Sequence, residues 1–433
     1  MNIINKIENK HKEKYKKLLK SNKFIKKVSF LNKSRNNLYK DFYEILLKMK
    51  DNNISLKQEE IIQHLTIISI KDHKLLKLFN KINYENYNKD LKSFLNNLNT
   101  EVDLFISIKE ESNIQLKNSI ACLLGLACGD ALGTTLEFTK NEQESLAQFG
   151  RGEVTERGSQ EHHTDIIGGG VFKLKAGEWT DDTSMALCIS KSLQEDGFSL
   201  KGQMDNYVKW MRHGYLSSNG RCFDIGVTTS NAIKQYLHLK NPKAGSKEIH
   251  HSGNGSIMRL APIPIYFYQN INKTIQYSAE SSLTTHGSPE CIESCMLLGA
   301  ILNLFINNIN NESKKELIFN SNLESILNLK EQKVIQLLNG DSWLKLKYEE
   351  LPNTGYVIDT LRSALWCLYY SNNFKEALTL AVNLCGDADT IGAVCGQLAG
   401  AYYGYDQIPN HWISIIKEST YIQKEAYSLF LKK

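Results

Sequence analysis

NLCGDADTIGAVCGQLAGAYYG, residues 383–404, places two carboxylates, Asp387 and Asp389, two apart, with the Thr390 hydroxyl beside them. Hard divalent cations such as Mg²⁺ take oxygen ligands, and short Asp side chains in a tight turn present them with little entropic loss. The helical stretch that follows carries Gly392, Gly396, Gly400 and Gly404 at every fourth position, a spacing that puts all four on one helix face. Gly costs a helix interior about 1 kcal/mol against Ala, so four in register imply close approach of another helix or a ligand. Two readings of this stretch stand side by side: a metal-binding turn, or a polar turn capping a tightly packed core helix.

A mate for that helix lies far upstream. In SIACLLGLACGDALGTTLEFT, residues 119–139, Lys is absent and Gly125, Gly129 and Gly133 again recur at every fourth position. Asp130 and Glu137 flank its end. After a Gly-rich segment over 140–176, read as a loop, comes GEWTDDTSMALCISKSLQ, residues 177–194. Thr180, Asp181 or Asp182 can cap the helix that Met185, Ala186, Leu187 and Ile189 begin. One residue suffices for a cap. Three consecutive oxygen-bearing side chains exceed that need and repeat the cluster at Asp387, Asp389 and Thr390, so a metal site shared between two helix starts is the better reading.

Three further segments pair a turn with a helix start. SSNGRCFDIGVTTSNAI, residues 217–233, carries Phe223 and Asp224; GNGSIMRLAPIPIYF, residues 253–267, sets Gly253 and Gly255 around Asn254, with Ser256 after them. Backbone N–H groups in such a turn can cradle a phosphate, although GNG is also a common turn. LTTHGSPECIESCMLLGAIL, residues 283–302, puts His286 just before an apolar helix. Strand signals are scarce throughout, which predicts an all-α catalytic core.

The chain has 433 residues, 42% hydrophobic and 23% charged, as expected of a soluble globular protein. No apolar run of membrane-spanning length is read, so no transmembrane segment is expected. The charged N-terminus lacks the apolar region of a secretory signal. Nine scattered cysteines without a CxxC pair predict buried free thiols in a reducing compartment. The expected location is cytoplasmic; the Lys, Asn and Ile usage and the added basic segment leave room for a secreted bacterial effector acting in a host cytosol.

Residues 1–50 hold 15 Lys+Arg against 4 Asp+Glu, whereas the whole chain is only +5. Residues 1–115 read as a separate Lys-rich helical domain, with Leu18, Leu19, Leu38, Phe42, Ile45 and Leu46 at helical spacings. It would serve as an accessory domain that meets a protein partner or an anionic surface. Aromatic and Arg interleaving is sparse, so no nucleic acid is expected. Residues 116–433 would form the catalytic domain.

Six blocks in order, GLACGDALGTTLE, GEWTDDTSMAL, CFDIGVTT, GNGSIMRLAPI, TTHGSPE and GDADTIGAVCGQLAGAYYG, resemble the ADP-ribosylglycohydrolase family, nearest its dinitrogenase reductase-activating glycohydrolase branch. The resemblance spans about 118–425 and omits the N-terminal segment. It implies an all-α fold with two divalent metal ions, Mg²⁺ or Mn²⁺, in a cleft that binds ADP-ribose. By motif, the metal ligands fall on Thr180, Asp181, Asp182, Asp387, Asp389 and Thr390. Glu137, with Asp181 and Asp182, is the implied catalytic set. Phe223, Asp224, Gly253, Asn254, Gly255, Ser256 and His286 are implied to contact the substrate.

The implied activity is removal of mono-ADP-ribose from a modified protein, with arginine as the favoured linkage because an Asp at position 224 could pair with the guanidinium. Serine-linked ADP-ribose is one alternative. A catalytically silent ADP-ribose-binding scaffold is the other, disfavoured by the intact TDD and DAD clusters. A phosphatase of the haloacid dehalogenase type would need Asp-x-Asp-x-Thr/Val and parallel strands, and this sequence has neither.

Overall fold

The computed structural model describes residues 107–109, 111–139, 163–319 and 321–432. The expected N-terminal helical domain therefore lies almost wholly outside the described residues, as does most of the loop read over 140–176.

In chain order the described residues form α1 (Ile114–Gly133), a hairpin of β1 (Gly168–Gly169) and β2 (Leu174–Lys175), α2 (Asp181–Asp196), α3 (Leu200–His213) and α4 (Val227–Leu239). These are followed by α5 (Pro262–Tyr266), α6 (Ile271–Ser282), α7 (Pro289–Ile306), α8 (Lys314–Ile318), α9 (Ser321–Leu327) and α10 (Gln332–Leu338). The chain closes with α11 (Val357–Tyr370), α12 (Phe374–Val382), α13 (Ala388–Tyr403), α14 (Asn410–Ile415) and α15 (Ser419–Leu431). The helical expectation holds. The sole sheet among the described residues is the antiparallel hairpin, which pairs Gly168 with Lys175 and Gly169 with Leu174.

The two Gly-striped helices are mates. A Cβ built on Gly125 would stand 2.3 Å from the Gly396 carbonyl oxygen, one on Gly129 only 1.9 Å from that of Gly392, and one on Gly133 2.3 Å from that of Ala388. Rising numbers on α1 meet falling numbers on α13, so the pair is antiparallel, backbone against backbone. An alanine methyl there would overlap a carbonyl group. The loss from that overlap exceeds the ~1 kcal/mol of helix propensity that each Gly forgoes. Gly404 also faces α1, its Cβ position 2.9 Å from Asn118 Oδ1, and it ends α13 in a positive-φ conformation (φ 76°).

Antiparallel packing has one consequence that decides the site. The C-terminal end of α1, with Asp130 and then Glu137, comes beside the N-terminal end of α13, with Asp387 and Asp389. The hairpin closes over the same end: Thr135 Oγ1 donates to the Gly168 carbonyl at 3.0 Å.

The apolar run of α7 departs from the expectation stated above. This helix has 18 residues and a mean hydropathy of 1.5, long and apolar enough by length and composition to cross a membrane. Its burial, 72% inside the fold, and its packing against α6, α13, α1 and α11 account for that apolarity as a core helix. Ser288 caps it, its side chain accepting from Cys291 N. The nine cysteines are free, and all but the half-buried Cys222 are buried.

Candidate active site

Thr180 stands at the N-cap position of α2, yet its side chain makes no cap hydrogen bond. The cap comes from another helix. The Asp130 carboxylate, fully buried, accepts from Thr180 N (2.9 Å) and Thr180 Oγ1 (3.0 Å) through Oδ1, and from Thr183 N (3.1 Å) and Thr183 Oγ1 (2.6 Å) through Oδ2. Asp130 thus satisfies orphan N–H groups of the first turn and pins α2 to α1. The Asp181 and Asp182 carboxylates are released from capping.

They turn toward the α13 cluster. Thr180 Oγ1 lies 3.4 Å from Asp182 Oδ2 and 3.3 Å from Asp389 Oδ2. One ligand atom each from Glu137, Asp224 and Asp389 fall within 4.8 Å of one another. The cleft above is lined by the acidic Glu137, Asp181, Asp224, Asp387 and Asp389 with Thr390, together with Gly253, Asn254, Gly255, His286 and Gly355. Three helix ends therefore converge: the end of α1 and the starts of α2 and α13. The positive ends of two helix dipoles favour carboxylates there.

The carboxylates are mutually unfavourable without a cation. Burial, then the charges of Asp224, Asp387 and Asp182, pushes Glu137 up to about 10. Burial, then Asp130 and Asp387, pushes Asp224 up to about 7. Asp389 is raised well above its usual value by burial and then by Glu137, Asp224, Asp182 and Asp387. Asp181 and Asp182 are raised likewise, burial first. Glu137 Oε2 and Asp182 Oδ1 are buried without a hydrogen-bond partner among the described residues. An all-oxygen donor set with orphaned, mutually repelling carboxylates suits a hard divalent cation, and the residues present fit one.

Of the expected substrate contacts, Asp224, Gly253, Asn254, Gly255 and His286 line the cleft, whereas Phe223 and Ser256 do not. Asn254 Nδ2 donates to Asp387 Oδ2 at 2.7 Å and to Thr360 Oγ1 at 2.9 Å, so its amide fixes a carboxylate of the acidic cluster. Asp224 belongs to that cluster, held by a left-handed backbone (φ 58°). Phe223 does not line the cleft and packs edge-on against Phe172, ring centroids 5.4 Å apart. The Ser256 side chain is buried away from the cleft. Among the described residues, however, the N–H groups of Gly255 and Ser256 make no backbone hydrogen bond, whereas Gly253 N donates to His251 O and Asn254 N to Gly355 O.

Asp130, Thr183 and Thr360 were not singled out as functional from the sequence. Asp130 did leave a signal: it is the one charged residue within the Gly-, Ala- and Leu-rich residues 119–133. Such a residue needs partners when buried.

Comparison with known proteins adds an independent line. The ADP-ribosylglycohydrolase family pattern matches residues 111–433. The chain is similar to ADP-ribosylarginine hydrolase Tri1 of Serratia proteamaculans, 40% identical over 316 residues that cover 73% of this chain and 79% of the relative. It is also similar to the ADP-ribosyl-[dinitrogen reductase] glycohydrolase of Rhodospirillum rubrum, 29% identical over 298 residues, 68% of this chain and 89% of that one. A solved structure described as an ADP-ribosylglycohydrolase-related protein complex superimposes with a TM-score of 0.60 at 32% identity, covering 73% of this chain and 98% of that chain.

Proposed function

Because the chain belongs to the ADP-ribosylglycohydrolase family, we propose that it removes mono-ADP-ribose from modified arginine side chains by hydrolysing the C1″–N bond. The observation that carries this reading is the meeting of Glu137, Asp224 and Asp389 within 4.8 Å, in a cleft also lined by the Gly253–Gly255 turn and His286. The arginine linkage is supported by relatives named ADP-ribosylarginine hydrolase at 40% and 39% identity.

Thr180, Asp181, Asp182, Asp387, Asp389 and Thr390 would hold two divalent cations, Mg²⁺ or Mn²⁺. Bound there, such ions orient ribose hydroxyls and lower the pKa of water. The protein's own groups divide the remaining work. Glu137 Oε2, buried and without a partner among the described residues, is free to take a proton from the attacking water or deliver one to the departing guanidine. Asp224 offers the guanidinium a charge-assisted contact. The Gly253–Gly255 turn lines the cleft and suits diphosphate oxygens.

Hydrolysis of arginine-linked and serine-linked ADP-ribosyl peptides, measured side by side, tests the specificity. Release of ADP-ribose from arginine and not serine is the expected result. Release from serine alone would overturn the arginine assignment, and ADP-ribose binding without release from either would favour a binding protein.

A further inference from the structure

Arg259 is a buried cation outside the acidic cluster. Its side chain is 1% exposed, lies over the Tyr207 ring at 4.7 Å from the centroid and approaches the Met185 sulfur at 3.5 Å. Nη2 donates to Thr284 Oγ1 at 3.1 Å and to Thr285 Oγ1 at 2.6 Å, while the buried Nε has no partner among the described residues. A guanidinium held by neutral groups, with one N–H unsatisfied, costs stability. Its neighbours give the reason for keeping it.

A guanidinium can only donate. Both threonine hydroxyls therefore accept from Arg259, and each must send its own proton elsewhere. Thr284 Oγ1 donates to the Ser281 carbonyl at 2.7 Å. Among the described residues, Thr285 Oγ1 has one other hydrogen-bonding neighbour, His286 Nδ1, at 2.8 Å. The Thr285 proton points to Nδ1, and the ring proton of a neutral imidazole then sits on Nε2. The opposite tautomer would aim two donors at Thr285 and bury its hydroxyl proton with no acceptor. Burial, and then the Arg259 charge, lowers His286 to about 3, so the ring is neutral.

The ring's Nε2 edge looks toward the GNG turn. A Cβ built on Gly253 would stand 3.4 Å from Nε2, and one on Gly255 2.7 Å from Cε1. His286 lines the cleft.

We propose that Arg259 and Thr285 form a relay that fixes His286 as its Nε2–H tautomer and so presents a hydrogen-bond donor to an acceptor oxygen of the bound ADP-ribose. The ligand in this statement rests on the proposed function; the tautomer does not. Arg259 and Thr285 are positioning residues, acting through His286.

The test uses the full chain with ¹⁵N-labelled histidine, the His286 signals assigned by their loss in His286→Asn. Unprotonated Nδ1 and protonated Nε2 in the parent and in Thr285→Ser, with a shift toward mixed tautomers in Thr285→Val, are the expected results. Calorimetric titration of ADP-ribose in Mg²⁺ should give about 3- to 10-fold weaker binding for Thr285→Val and little change for Thr285→Ser. A protonated Nδ1 in the parent overturns the relay, as does Thr285→Val with unaltered tautomer and affinity. Should Thr285→Val fail to fold, the parent spectrum still decides. A parent that binds no ADP-ribose contradicts the proposed function, while the tautomer arm stands on its own.

Discussion

Asp130 accepts both the backbone N–H and the hydroxyl of Thr180, at 2.9 and 3.0 Å, and so holds the start of one helix from the end of another. That junction fixes the start of α2, whose first turn carries Asp181 and Asp182. Local capping by Thr180 would have spent one of the oxygens that the cluster gathers.

Asp130→Asn keeps the shape but replaces one acceptor oxygen with an NH2 that faces the donors of Thr180 or of Thr183. Groups that orient metal ligands typically contribute 10- to 100-fold to metal affinity or activity. The variant should lose about that much, read as the Mg²⁺ or Mn²⁺ concentration needed for half-maximal activity. An unchanged metal requirement would detach Asp130 from the site.

Removing a carboxylate should help the metal-free fold while harming the metal-bound one. Asp182 is buried, raised by burial and by Asp130 and Asp387, and its Oδ1 has no partner among the described residues. Asp182→Asn should raise the stability of chelator-treated protein by on the order of 1–3 kcal/mol and abolish the thermal shift that added metal produces in the parent. Thermal melts with and without metal measure both effects.

The metal-free protein should lose stability as pH rises. A carboxyl with a folded-state pKa above its unfolded value binds its proton more tightly when folded. That stabilises the fold below the unfolded value and is lost as pH climbs through the folded one. Asp130, Asp224 and Glu137 reach about 6, 7 and 10 against ordinary values of 3.8, 3.8 and 4.5. Chelator-treated protein should therefore melt lower at about pH 8 than at about pH 5, and saturating metal should narrow the gap. A melting temperature that rises over this window without metal would contradict the electrostatics of the cluster.

Gly129→Ala would drive a methyl group to 1.9 Å from the Gly392 oxygen and should cost at least about 3 kcal/mol in urea denaturation. Gly226, at the start of α4, has nothing within 4 Å of its Cβ position. Gly226→Ala should change stability by less than about 1 kcal/mol.

The helix pair was legible in the sequence because a glycine stripe is a local signal with a specific cost, and packing is the usual way to offset it. The oxygen clusters at Thr180–Asp182 and Asp387–Thr390 were legible as a surplus over what a cap requires. The cap itself was not, since Asp130 lies 50 residues upstream of Thr180 and no local pattern joins them. Phe223 and Asp224 were read together as substrate contacts; Asp224 lines the cleft beside the acidic cluster, whereas Phe223 packs against Phe172. Asn254 looked like part of a phosphate turn because its partner, Asp387, is 133 residues away. Arg259 stood plainly within an apolar run; its role depends on two threonines that only the fold brings to it.

The measurement that bears most directly on this account is release of ADP-ribose from a protein mono-ADP-ribosylated on arginine, in Mg²⁺ or Mn²⁺, by the parent chain and by the Asp387→Ala, Asp389→Ala double variant. Metal-dependent release by the parent, with none from the variant, is the predicted result. Release by the variant at the parent's rate, or parent activity that persists in chelator, would contradict it.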